Sequence, residues 1–129
     1  MTYHIIDSYA WVEYFNGSAK GKRVQKLLLN QKHSFSTIHP CLAELHGWAL
    51  KNSQDFNQVL QVVRANSDLI SLSEDEWIQT GKERFFQRKK EPDFGLIDAA
   101  ILVKQKELHC KVISGDRHFR NVKNVVFLT

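Results

Sequence analysis

Short runs rich in β-branched and aromatic residues alternate with longer segments of helical periodicity along this chain. Five such runs are predicted to be strands, at 3–7, 34–38, 68–72, 111–115 and 124–128. Strands that alternate with helices pair in parallel, and the helices then cover both faces of the sheet. The pattern therefore predicts an α/β fold with a central parallel sheet of four to five short strands flanked by helices.

The helical segments begin at residues that suit a first turn. One helix is predicted over 19–32, where apolar residues recur at helical spacing. Ser73 and Glu76 form the sequence pattern of a capping box. The other starts are predicted at Pro40, at Ser53 as an N-cap, and at Pro92 followed by Asp93 as an N-cap.

Size and composition are those of an ordinary globular protein. The chain has 129 residues, of which 43% are hydrophobic and 25% charged, and we expect one domain over 1–129. No apolar run approaches the roughly 20 residues of a membrane helix, and the N-terminus lacks the pattern of a signal peptide. Cys41 and Cys110 form neither a metal-binding pair nor a disulfide framework. We therefore expect a cytoplasmic protein with no membrane partner.

Four carboxylates lie where an acid is costly unless a cation compensates its charge. Asp7 and Asp116 follow apolar runs predicted to be strands, while Glu44 and Asp98 lie in apolar segments near the starts of predicted helices. In parallel α/β sheets, ligands bind beyond the carboxyl ends of the strands. We therefore expect these four acids to converge at that edge, although they are far apart in sequence.

Converging carboxylates raise each other's pKa values, and a divalent cation relieves their repulsion. Oxygen ligands favour Mg²⁺ or Mn²⁺. Two such ions about 4 Å apart can clamp the attacking and leaving oxygens of a phosphodiester. The four acids therefore predict metal-dependent phosphodiester hydrolysis, which requires no Ser-His-Asp triad.

Four segments carry a family resemblance that covers essentially the full length of the chain. They are Ile5-Ile6-Asp7-Ser8 with the residues to 15, Leu42-Ala43-Glu44-Leu45, Leu96-Ile97-Asp98-Ala99, and Ser114-Gly115-Asp116 after an apolar strand. In this order and at these separations, the chain resembles a PIN-domain ribonuclease, and most closely the VapC-type toxins of prokaryotic toxin–antitoxin pairs. The resemblance implies a three-layer PIN-like fold and RNA cleavage that depends on Mg²⁺ or Mn²⁺.

The resemblance also implies roles and partners. The matching positions make catalytic, metal-binding acids of Asp7, Glu44, Asp98 and Asp116. Ser114 would be a hydroxyl that orients an acid, and Ser8 would act similarly. The family further implies a homodimer and a small antitoxin protein whose C-terminal segment blocks the site. Composition and spacing by themselves indicate neither partner.

The chain carries 18 basic and 14 acidic residues, a net charge of +4. With four acids neutralised by metal, ten would remain, and so basic a surface attracts polyanions. Basic residues flank the acids in sequence, and we take four of them as candidate contacts to an RNA backbone, with a merely solvated surface as the alternative: Arg84, Arg88, Lys89 and Arg117.

Asp93 and His118 lie close to the predicted acids in sequence. For Asp93, an N-cap is the preferred role and an auxiliary metal ligand the alternative. For His118, a surface or helix-end imidazole is preferred, and a phosphate contact is the alternative.

Other functions of an α/β domain would require different residues at these positions or the same ones in another role. A non-catalytic RNA- or protein-binding module of this fold would lose one or more of the four acids, and all four are present. An RNA-processing nuclease outside any toxin–antitoxin pair would keep them all, so that alternative stays open. Phosphatases of the haloacid dehalogenase type are disfavoured, because Asp7-Ser8-Tyr9 lacks the second acid of Asp-x-Asp.

Overall fold

The computed structural model describes residues 2–129 and folds them around one parallel sheet. Its strands are β1 (Thr2–Ile6), β2 (His33–Ile38), β3 (Asp68–Ile70), β4 (Lys111–Ser114) and β5 (Val125–Phe127). Their order across the sheet is β3-β2-β1-β4-β5, and every neighbouring pair is parallel. The predicted α/β class is confirmed, with five strands in the described part of the chain.

Helices connect the strands as the alternation predicted. They are α1 (Ser8–Asn16), α2 (Ala19–Leu29), α3 (His39–Lys51), α4 (Phe56–Asn66), α5 (Glu74–Gln87) and α6 (Leu96–Leu108), followed by a 3₁₀ turn at Arg117–Phe119. No helix within residues 2–129 is long and apolar enough to cross a membrane.

Adjacent residues of the central strands enter opposite cores. Ile5 and Val112 pack with the Ala99–Leu102 part of α6 on one face. Ile6 and Ile113 pack on the other face against buried residues of α1 to α4, which are Ala10, Trp11, Val24, Leu45, Val59 and Val63. Because side chains alternate across a strand, both faces of the sheet are buried, and α5 forms its main contacts with α6. This is the three-layer arrangement that the family resemblance implied.

The capping box at Ser73 is confirmed, but two other predicted helix starts are wrong. The cap of α4 is Asp55 rather than Ser53, which takes a left-handed backbone with φ of 54°. Pro92 and Asp93 lie in the turn that precedes α6, and the helix is capped at Gly95. The Gly95 N–H donates to the Asp98 carboxylate at 3.2 Å, so the cap uses an acid inside the helix.

Candidate functional site

Two adjacent parallel strands place two acids at one edge of the sheet. Asp7 follows β1 and caps α1, and Asp116 follows β4 and caps the 3₁₀ turn. β1 and β4 are paired in register, with Ile6 opposite Ile113, so both acids leave the sheet at its carboxyl edge. Glu44 lies in α3, directly after β2, and Asp98 lies in the first turn of α6. The predicted location of all four acids matches the fold.

Asp7 is the most buried of the four, with only 3% of its surface exposed. Its carboxylate accepts a hydrogen bond from the Ala10 N–H at 2.8 Å and another from the Ser114 side chain. Burial raises the pKa of Asp7 to about 7, and the charges of Asp98 and Asp116 add to that increase. The hydrogen bonds oppose the increase but do not cancel it. Asp7 is therefore poised between its two protonation states near neutral pH.

Burial and neighbouring carboxylates also raise the pKa values of Glu44 and Asp98. Burial raises the pKa of Glu44, the Ser8 hydrogen bond opposes this, and the charges of Asp98 and Asp116 raise it again. Ser8 donates from its hydroxyl to Glu44 Oε1 at 2.7 Å. Burial also raises the pKa of Asp98, and Asp116 adds to that effect. Glu44 lies towards solvent by residue exposure, but it is close enough to Asp98 and Asp116 for their charges to raise its pKa.

Ser114 is fully buried and links two of the acids. Its hydroxyl oxygen accepts from the Asp116 N–H at 3.0 Å, while its side chain also hydrogen-bonds Asp7. One hydroxyl at the end of β4 thus holds the backbone of one acid and the carboxylate of another. The sequence assigned this orienting role only through the family resemblance.

His118 contacts the site more closely than its preferred sequence interpretation allowed. Its Nδ1 lies 2.8 Å from Asp98 Oδ2 and 3.5 Å from Asp116 Oδ1. Burial lowers the pKa of His118, but the hydrogen bond with Asp98 and the charge of Asp116 outweigh this and raise it above its usual value. The ring packs against Phe94, with centroids 5.6 Å apart. The sequence signal was only its position two residues after Asp116.

Asp93 is not an N-cap; it belongs to a second cluster beside the first. Ligand atoms of Glu91, Asp93 and His118 lie within 4.8 Å of one another. Arg117 enters the same cluster, forming an ion pair with Asp93 and lying 3.5 Å from Glu91. Contacts between the turn before α6 and the 3₁₀ turn create this cluster, and no local sequence pattern indicates it.

Both acidic clusters are candidate metal centres, and their chemistry differs. Within residues 2–129, no three of the four predicted acids bring oxygens as close together as Glu91, Asp93 and His118 do. However, Arg117 already compensates the charge of that closer set. The four predicted acids offer oxygen ligands and repel one another, which is the condition that a divalent cation relieves. The four-acid donor set therefore fits Mg²⁺ or Mn²⁺.

The four predicted basic residues differ in the groups that they contact. Arg117 pairs with the second cluster, as described above. Arg88 donates from Nε to the Phe94 carbonyl oxygen at 2.9 Å, and the Lys89 ammonium lies 5.0 Å from the centre of the Phe86 ring. Arg84 is half-buried in the last turn of α5. Arg117 is the member of this group that the structure places against acidic residues of the site.

The sheet order, the two covered faces and the acids at the carboxyl edge define a three-layer PIN-like α/β fold, that of the VapC toxins. The chain is similar to the VapC20 toxin of Mycobacterium tuberculosis, described as a sarcin-ricin loop cleaving toxin, with a TM-score of 0.79 and 13% identity over 98% of this chain and 99% of that one. It is also similar to a toxin–antitoxin complex from Klebsiella pneumoniae, with a TM-score of 0.70 and 19% identity over 98% of both chains. A DNA-bound VapBC from Salmonella typhimurium gives a TM-score of 0.68 and 18% identity over 97% and 96% of the two chains.

Comparison at the level of sequence gives no match to a family model and none to a curated protein. At identities below 20%, the structural similarity establishes the fold alone. The chemistry has to be inferred from the residues of this chain.

Proposed function

We propose that this chain is a metal-dependent endoribonuclease and the toxin of a type II toxin–antitoxin pair, with its nuclease domain spanning 1–129. The observation that carries the proposal is Asp7, buried at the carboxyl edge of the sheet, with its pKa raised to about 7 partly by Asp98 and Asp116. Buried, mutually repelling carboxylates destabilise the folded state, and groups whose pKa values are perturbed in this way cluster at functional sites. A nuclease centre accounts for their presence here.

In this proposal Asp7, Glu44, Asp98 and Asp116 hold Mg²⁺ or Mn²⁺. When bound, such an ion supplies positive charge to the phosphodiester and lowers the pKa of water at the site. The chain's own residues position the acids: Ser8 holds Glu44 by a hydrogen bond of 2.7 Å, and Ser114 joins Asp7 to Asp116. Asp93 stays an alternative auxiliary ligand, supported by its place in the neighbouring cluster.

RNA is the proposed substrate. The cleaving toxin from Mycobacterium tuberculosis supports this choice through its shared fold, and the net charge of +4 favours a polyanion. In this proposal Arg84, Arg88, Lys89 and Arg117 contact the RNA backbone. Release of Arg117 from Asp93 would free a guanidinium close to the acids.

An antitoxin is the proposed protein partner. Several structures with this fold are toxin–antitoxin or VapBC complexes. We further propose a homodimer in the cytoplasm, on the basis of the family resemblance. An RNA-processing role outside any such pair is the alternative, and co-expression with a neighbouring small protein that relieves growth arrest would decide between them.

The first test is cleavage of total RNA by purified protein freed of any co-purifying partner. One arm contains Mg²⁺ or Mn²⁺, one contains EDTA, and one contains metal with the Asp7→Asn variant. We expect discrete fragments only with wild-type protein and metal. Cleavage by Asp7→Asn at the wild-type rate would contradict the four-acid site, and the absence of cleavage in every arm would favour a binding module.

A further inference from the structure

A groove of about 970 Å³ is lined by residues at the starts of β1 and β4 and by residues of the 3₁₀ turn that follows β4. Lys111, at the start of β4, lines one end, and Arg117 and His118 line the other. The rise of a strand, about 3.3 Å per residue, separates Lys111 from Ser114 by about 10 Å. The groove therefore extends from the amino edge of the sheet to His118, whose Nδ1 lies 2.8 Å from Asp98 Oδ2, although none of the four predicted acids lines the groove itself.

The charge of the groove lining is mainly positive. Five cationic side chains line it against two acidic ones, Glu83 and Glu91. Both acids already have partners, because Lys106 forms an ion pair with Glu83, and Arg117 lies 3.5 Å from Glu91.

Three of the lining cations are free to meet an anion. Lys90, Lys111 and Lys123 are exposed and take no part in the ion pairs of residues 2–129. Lys90 directly follows the predicted contacts Arg88 and Lys89 in sequence, whereas Lys111 and Lys123 come from separate parts of the chain and were not indicated by the sequence. The fold alone brings them into one groove.

The rest of the lining suits nucleotides. The half-buried Tyr3 contributes an aromatic side chain to the lining, and the exposed Asn121 and Asn124 offer amide groups that both donate and accept. Cations along a groove with an aromatic face are the usual means of holding single-stranded nucleic acid. An acidic peptide would match the charge as well, but the approach of the groove to His118, which contacts the proposed nuclease acid Asp98, favours RNA.

The geometry points to this groove as the track for the single-stranded RNA on one side of the cleaved bond, with Lys90, Lys111 and Lys123 contacting its phosphates. The inference rests on the proposed ribonuclease function and extends it, because Lys111 and Lys123 add substrate contacts that the sequence did not indicate. The acids then act on the phosphate that lies where the groove reaches His118.

The test is binding of a fluorescein-labelled 12-nucleotide single-stranded RNA, measured by anisotropy in EDTA so that no cleavage occurs. The test variant is Lys90→Gln/Lys111→Gln/Lys123→Gln. The matched control is Lys26→Gln/Lys51→Gln/Arg64→Gln, which removes three exposed cations that do not line the groove. Circular dichroism checks the fold of each, and Lys123→Glu alone serves if the triple variant does not fold.

We expect the groove variant to bind about tenfold more weakly at 100 mM salt. The slope of log affinity against log salt should also fall by about two, because each phosphate contact to a single strand contributes about 0.7. The control should bind like the wild type. Equal weakening of both variants, or unchanged binding by the groove variant, would overturn the inference. Tighter binding of an acidic 12-residue peptide than of RNA, lost in the groove variant, would overturn RNA as the occupant.

A parallel cleavage assay of the wild type with Mg²⁺ or Mn²⁺ separates this inference from the proposed function. Groove-dependent RNA binding without cleavage would contradict the nuclease and leave the RNA track supported. Cleavage by the wild type together with groove-independent binding would leave the nuclease supported and contradict the track.

Discussion

Asp7 meets two demands that conflict at neutral pH. Its carboxylate caps α1 by accepting from the Ala10 N–H, and it is also buried close enough to Asp98 and Asp116 to be affected by their charges. Asparagine satisfies the first demand, because its side-chain oxygen caps a helix as well as aspartate does. It avoids the second, because it cannot ionise.

The Asp7→Asn variant should therefore be more stable than the wild type in EDTA at pH 8. The pKa of Asp7 is about 7 in the folded protein against the ordinary 3.8, so the folded state holds a proton that the unfolded chain has released between those values. Wild-type stability then falls as pH rises from about 4 to about 7. We expect an advantage for the variant on the order of 1–4 kcal/mol at pH 8 that vanishes near pH 4.

Urea unfolding at both pH values measures this difference. Asp55→Asn, at the exposed cap of α4, is the matched control and should show no such pH dependence. An advantage of the Asp7 variant that is equal at pH 4 and pH 8 would contradict the raised pKa.

His118 is a positioning residue in the proposed site, because it orients Asp98 through a hydrogen bond of 2.8 Å. Replacement by Gln should lower the cleavage rate about 10- to 100-fold and raise the half-saturating Mn²⁺ concentration, as expected when a partner of a metal ligand is lost. His118→Asn should keep more activity, since its amide nitrogen lies near the position of Nδ1. A lower melting temperature with an unchanged Mn²⁺ requirement would indicate a purely structural role.

At the scale of elements, the two serines predicted as helix N-caps differ in outcome. Ser73 caps α5, whereas Ser53 does not cap α4. Ser73 accepts from the Glu76 N–H at 3.2 Å, and Glu76 accepts in return from the Ser73 N–H at 2.8 Å. Ser53 has no such role, because α4 begins three residues later. We expect Ser73→Ala to cost about 1 kcal/mol of unfolding free energy and Ser53→Ala to change it by less than about 0.5 kcal/mol.

Urea unfolding of the two alanine variants provides the comparison, provided that the unfolding free energy depends equally steeply on urea concentration in both. A larger loss for Ser53→Ala than for Ser73→Ala would contradict the assigned caps.

The sequence determined the order and type of the elements because periodicity is a local property. It located Asp7 and Asp116 at strand ends for the same reason. It misplaced the start of α6, because the side chain that receives the cap hydrogen bond is Asp98 inside the helix rather than Asp93 before it. Both residues are acids near the first turn, and only the docked helix distinguishes them.

At the scale of the whole molecule, the acids gather from four separate parts of the chain. Sequence reasoning could predict this convergence from the topology of parallel sheets. It could not predict the cluster of Glu91, Asp93, Arg117 and His118, because that depends on two turns meeting in space. Lys111 and Lys123 of the groove escaped prediction for the same reason.

Metal addition should stabilise the wild type as a whole. A ligand at about 100 times its dissociation constant adds about 2.7 kcal/mol, which is a rise in Tm of roughly 8–14 °C for a chain of this size. The rise should be larger at pH 8 than at pH 6, because Asp7 must lose its proton to serve as a ligand.

Thermal unfolding with and without Mn²⁺ tests this expectation and distinguishes the two acidic clusters. Asp98→Asn should lose the rise in Tm, while Asp93→Asn should retain it. The opposite pattern would assign the metal to Glu91, Asp93 and His118 instead.

The central position of β1 limits the local opening of the site to solvent. β1 is hydrogen-bonded to a strand on each side, and the Asp7 N–H continues this pairing by donating to the Ile113 carbonyl oxygen at 3.3 Å. Amides in such a strand exchange with solvent deuterium only through the largest opening events. The acid whose charge is hardest to solvate is thus attached to the part of the chain that opens last, so local fraying cannot hydrate it.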